Sequence, residues 1–136
     1  MRKLLWLLVA WLCVGCAPVP HYEYFAPAVS GTLVQGGHPL SGAKLLLRAD
    51  STATSSVAYS DAAGHFVLAP LREYHAYISM SGDQPHAFSL TITVDGKDYP
   101  AFQQAAAQPR SVIHLDCDLS APLDADGQPD YCKWAP

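Results

Sequence analysis

Basic residues are scarce in this chain. Lys and Arg number eight in 136 residues, and Arg2 and Lys3 lie in the N-terminal segment. Beyond that segment six basic residues stand against twelve acidic ones, a net charge of −6. That balance argues against a nucleic-acid partner, because phosphate binding needs a basic patch. An anionic membrane surface would repel the same charge, so membrane attachment would have to be covalent. Methionine occurs twice, too rarely for a methionine-rich copper site. Beyond residue 16 no C-x-x-C is present, the chain has no H-E-x-x-H or nucleophile-elbow motif, and Ser30, Ser41 and Ser60 sit in turn or strand contexts. The six histidines, His21, His38, His65, His75, His86 and His114, are scattered. His65 and His75 would share an outward face if their strands paired. His114 and Asp116, two residues apart, would lie on one strand face, which permits a metal or acid–base pair. Surface or partly packed imidazoles are the simpler reading. We therefore expect no cofactor and no enzyme.

Apolar runs are short as well. Leu4 to Val14 is the longest, and it falls below the roughly 20 residues that span a bilayer. It follows the basic Met1-Arg2-Lys3 and has the length of a signal-peptide core. The run ends Leu12-Cys13-Val14-Gly15-Cys16. An ordinary signal peptide or a buried apolar helix would fit these residues. The ending also resembles a bacterial lipobox, in which a small residue precedes an acylated cysteine. The resemblance implies removal of residues 1–15 and lipidation, as by palmitate, at Cys16. Cys13 stands where that family usually has Leu, and Leu12 lies one place early. Ala17, where Asp would imply inner-membrane retention, leans toward the outer membrane. The implied place is the bacterial cell envelope, with the protein facing the periplasm and joined to the membrane through its N-terminal lipid.

What the chain has in quantity is punctuation: 11 Pro and 9 Gly. Such density favours many short strands over long helices. About 120 residues remain after the leader, enough for one domain with a modest core. Residues 16–27 read as a Pro-rich tether, whose His21-Tyr22-Glu23-Tyr24-Phe25 either packs on the edge of the domain or binds a partner. Residues 28–116 alternate with period two. Val29, Gly31 and Leu33 would share one face. Ala43, Leu45 and Leu47 would point inward, with Lys44 and Arg48 outward. Val57 and Tyr59 mark a third strand, Phe66 and Leu68 a fourth. Tyr74, Ala76, Ile78 and Met80 would share a face of a fifth. Phe88, Leu90, Ile92 and Val94 alternate with hydroxyl-bearing residues, and Asp95-Gly96 signals a hairpin. Tyr99 to Phe102 can be only an edge strand because of Pro100. Phe102 to Gln108 reads as about one helical turn. Ile113, Leu115 and Cys117 face one way in the last strand. The expected fold is all-β, a seven- or eight-stranded antiparallel β-sandwich.

The order Gly31-Thr32-Leu33, then Gly37-His38-Pro39-Leu40-Ser41-Gly42-Ala43, then Ser60-Asp61-Ala62-Ala63-Gly64-His65-Phe66-Val67-Leu68 is similar to the carboxypeptidase regulatory-like, or transthyretin-like, domain. It covers about residues 28 to 94. Gly37, Pro39, Gly42, Asp61, Gly64 and Phe66 are its fold-defining turn positions here, with Ser60 in place of the usual Thr. Gly64 would supply a positive-φ turn, Asp61 would cap that turn, and Phe66 would anchor the core. The resemblance implies a prealbumin-like sandwich and no catalysis.

Residues 117–136 form an acidic tail. Cys117 and Cys132 are an even pair for an exported protein, and a disulfide between them would pin the tail to the last strand. Free thiols or a metal pair are the alternatives. Asp124, Asp126 and Asp130 resemble a shortened calcium loop, though an acidic solvated loop or contact surface also fits. Three functions stay open: a lipid-anchored interaction or structural module contacting an unidentified envelope protein, a periplasmic immunity protein blocking a type VI-like toxin, and a calcium or small-ligand binder.

Overall fold

Alternation becomes strand wherever it is clearest. In the computed structural model, which describes residues 20–76, 85–107 and 111–136, Phe88, Leu90 and Ile92 are buried. They lie on a strand that turns through Asp95-Gly96, both at positive φ, into its neighbour. Eleven strands occur among the described residues, and no helix: β1 His21–Ala26, β2 Ala28–Gln35, β3 His38–Pro39, β4 Lys44–Ala49, β5 Ser55–Tyr59, β6 His65–Leu68, β7 Leu71–His75, β8 His86–Val94, β9 Lys97–Ala107, β10 Val112–Asp118 and β11 Cys132–Trp134. Three of them exceed the seven or eight expected because β1, β3 and β11 fall in segments that read as tether, turn and tail.

The strands form three sheets. One has the order β5-β4-β8-β9. In the second, β11 and β10 flank one edge of β2, while β3 and β6 share its other edge. The third is the ribbon β1–β7. All pairings are antiparallel except β10 with β2, which run parallel and in register from Ala28↔Val112 to Val34↔Asp118. A wholly antiparallel sandwich is thus corrected at this pair. Gly31 makes it possible, since a Cβ there would lie 1.9 Å from the Leu115 carbonyl oxygen.

One hydrophobic core takes Leu45, Leu47, Leu90 and Ile92 from the first sheet and Val29, Leu33, Leu68 and Leu115 from the second, with Phe25 and Leu71 from the ribbon. Each such side chain contributes about 2 kcal/mol when fully buried. Lys44 and Arg48 are exposed between the buried residues of β4, as the alternation requires.

The turns follow the sequence. Gly36 and Gly37, both at positive φ, join β2 to β3. The Asp61 carboxylate accepts the N–H groups of Ala63 and His65, each at 2.9 Å. Gly64 has φ 78°, and a Cβ there would meet the Leu33 carbonyl oxygen at 2.3 Å. Its own carbonyl accepts the Leu33 N–H at 2.7 Å, docking the turn on β2. Phe66 is buried beside it. Ser60, also buried, donates to the Leu40 carbonyl at 2.6 Å and accepts the Ala43 N–H at 3.0 Å.

Three expectations need correction. Residues 21–26 are a strand rather than part of a tether, with Phe25 buried against the domain. Residues 102–107 continue β9 rather than turning helically, and Gln108 lies outside the described residues. Tyr74 and Ala76 share a face, but it is the exposed one, and β7 buries Leu71 instead. Ile78 and Met80 lie outside the described residues.

Candidate functional site

The parallel register of β2 and β10 aligns outward side chains across the sheet. Ser30 Oγ lies 2.7 Å from His114 Nδ1. Thr32 Oγ1 donates to Asp116 Oδ1 at 2.8 Å. His65 stands opposite Thr32, and Lys133 opposite Asp116, so the second rung crosses four strands. His114 and Asp116 do share a face, as expected. Each is engaged by a hydroxyl of β2 along its own rung. This differs from a nucleophile–base–acid chain, in which the imidazole lies between hydroxyl and carboxylate. His65 and His75 sit in strands that do not pair with each other, since β6 joins β2 and β7 joins β1.

Beyond the second rung the face deepens into an open groove of about 550 Å³. Asp116, Asp118 and Asp130 line it together with Val34, Tyr131 and Lys133. Cys117 lies in its floor, and behind the groove, in the core, the disulfide Cys117–Cys132 ties β10 to β11 through directly opposite residues. Asp118 accepts the Ser120 hydroxyl at 2.6 Å and the Ser120 N–H at 2.9 Å. These bonds, with the Gly36 N–H nearby, hold its carboxyl below the usual carboxylate range. Asp130 lies 3.5 Å from Lys133 Nζ, an exposed pair.

The tail loop is built on itself. Asp124 Oδ1 accepts the N–H groups of Asp126 and Gln128 at 2.9 and 2.8 Å. The Asp124 N–H donates to the Gln128 carbonyl at 2.9 Å, and Leu123 bridges to Pro129. Asp124 is therefore the organiser of its own turn, while Asp130 faces Lys133. Among the described residues, no three His, Cys, Asp or Glu side chains gather closely enough to hold a metal ion.

A second polar cluster lies under the β1–β7 ribbon. Glu23 and Glu73 are cross-strand partners on its inner face, an unfavourable juxtaposition unless each is compensated. Glu23 Oε2 lies 3.2 Å from His75 Nε2, and Glu23 Oε1 lies 3.7 Å from His86 Nε2. Glu73 accepts hydrogen bonds from Thr52 and Thr54, which hold its carboxyl below the usual range, with a smaller contribution from His75. Ser51 Oγ lies 2.8 Å from the other nitrogen of His86. This gathering was hidden in the sequence because its members come from segments read as tether, loop and separate strands.

The remaining expected site residues are placed as follows. Gly37, Pro39, Gly42, Asp61, Gly64 and Phe66 occupy turns or core as described, Pro39 within β3. Cys16 lies outside the described residues. No protein-family model and no curated protein matches the chain.

Proposed function

We propose that this chain is a non-catalytic, lipid-anchored protein of a bacterial cell envelope that serves as a protein-interaction or structural module. Cys16 carries the lipid, and a prealbumin-like sandwich presents its faces to a partner in the periplasm. The observation that carries this reading is the groove at the tail. The two strands β10 and β11 that carry its lining are tied by a disulfide, it is open rather than enclosed, and it mixes carboxylates with Tyr131 and Val34. Such a surface suits basic and apolar side chains of another protein. The rungs beside it engage His114 and Asp116 with separate hydroxyls of β2 rather than with each other, which supports the non-catalytic reading. A pull-down from detergent-solubilised envelopes through a C-terminal tag tests the proposal. Wild type should retain one near-stoichiometric envelope protein, and Asp116→Asn/Asp130→Asn should retain less. No retained protein in wild type would refute it, and calorimetry with calcium chloride would then decide for or against the calcium reading.

A periplasmic immunity protein is the second reading, favoured by the loop from Leu123 to Pro129. That loop is hydrogen-bonded to itself and leaves Leu123 and Asp126 exposed, an acidic surface suited to a cationic active site. A toxin in the pull-down would select this reading over a scaffold.

A further inference from the structure

The outer face of the β1–β7 ribbon gathers three tyrosines around one arginine. Tyr22 stands opposite Tyr74, and Tyr24 opposite Arg72, so all four side chains share one face. Tyr22 and Tyr74 meet edge to face with centroids 5.7 Å apart, and they remain 46% and 60% exposed. The Arg72 guanidinium lies 4.6 Å over the Tyr22 ring. Both carboxylates of the ribbon are on the opposite face, Glu23 beside His75 and Glu73 hydrogen-bonded to Thr54. The outer face is thus aromatic and cationic on a chain whose balance is acidic.

Position gives this face its meaning. Tyr22 lies six residues after Cys16. Six residues reach about 20 Å at most, whatever their conformation. A leash this short cannot carry the ribbon away from the layer that holds the acyl chain. Tyrosine rings settle at the boundary between acyl chains and headgroups, where the ring is sheltered and the hydroxyl is wet. An arginine stem lies along apolar surface while its head reaches phosphate. The negative charge of the remaining domain disfavours every orientation that turns another acidic face to anionic headgroups.

We infer that the Tyr22/Tyr24/Arg72/Tyr74 face rests on the phospholipid headgroup layer and sets the orientation of the domain on the membrane. This rests on the proposed lipid at Cys16. The ribbon is then a foot, and the groove at Asp116, Asp118 and Asp130, on the β2–β10 sheet, is held at a fixed aspect for its partner.

The test uses the full lipidated chain in vesicles of phosphatidylethanolamine and phosphatidylglycerol. The disulfide and the acyl group leave an engineered cysteine as the reactive thiol. A nitrobenzoxadiazole probe is placed at Tyr74→Cys or, as control on the β5 edge, at Tyr59→Cys. The Tyr74 probe should shift to the blue and be quenched by brominated lipid, and the Tyr59 probe should do neither. Arg72→Glu should weaken the quenching at position 74 while co-flotation with vesicles persists. Flotation with a water-exposed Tyr74 probe would overturn the inference and leave the anchor standing. Failure to float would remove the anchor and the inference together. Shielding of the Tyr74 probe in soluble Cys16→Ser protein that grows with concentration would assign the face to a second copy instead.

Discussion

Gly31→Ala should be the most informative single-atom-scale change in the sandwich. A Cβ at position 31 would lie 1.9 Å from the Leu115 carbonyl oxygen and 3.0 Å from Phe66 Cζ. An ordinary carbon–oxygen contact is about 3.4 Å, so β2 and β10 must separate locally by roughly 1.5 Å. That separation weakens about two ladder hydrogen bonds, each worth about 1 kcal/mol. Crowding a packed site adds at least about 1 kcal/mol. The sum is about 3 kcal/mol, which for a domain of this size lowers Tm by about 12 °C. Gly37→Ala is the control. Its φ is 81° and nothing lies within 4 Å of the added Cβ, so only the left-handed conformation is penalised, by about 1 kcal/mol. Thermal and urea unfolding of soluble Cys16→Ser protein, followed by circular dichroism, compares the two. Equal losses for Gly31→Ala and Gly37→Ala would refute the close parallel pairing of β2 with β10.

Removing the disulfide with Cys117→Ser/Cys132→Ser, which span 15 residues of sequence, should cost about 3 kcal/mol in the chain-entropy model. It should also weaken retention of the partner in the pull-down, because β11, which brings Lys133 to the groove, is no longer tied to β10. Ser60→Ala should cost about 2 kcal/mol in urea unfolding, since it strips partners from the buried Leu40 carbonyl and Ala43 N–H. Asp118 titrates below its unfolded value, so its ionised form favours the fold. That contribution is complete above about pH 4 and disappears as pH falls through the lower folded value. The stability gap between wild type and Ser120→Ala should accordingly be widest near neutrality and close in acid, as urea melts across that range would record.

Local chemistry was legible and distant pairing was not. Asp95-Gly96 announced the β8–β9 hairpin, and the Asp61-to-Gly64 turn formed with the cap its residues suggest. β1 escaped notice because its inward positions include His21 and Glu23, which break the apolar alternation that marks a strand. The second half of β9 is rich in Gln and Ala, residues that favour helix in isolation; pairing with β8 at the sheet edge overrides them. Pro100 is accommodated on that edge beside a register shift, as its missing N–H requires. The β2–β10 pairing joins residues 84 positions apart, for which no short-range pattern exists. The groove and its acidic lining follow from that pairing. From the sequence, Asp116 and Asp118 could be placed on a strand end and Asp130 in a tail, but their common wall with Thr32 and Val34 could not.

Metabolic labelling with radioactive palmitate, in a bacterium that processes lipoproteins, bears most directly on the proposed anchor. Label should enter the wild-type chain and be absent from Cys16→Ser. No incorporation in wild type, or equal incorporation in both, would contradict the anchored module and the membrane-resting face built on it.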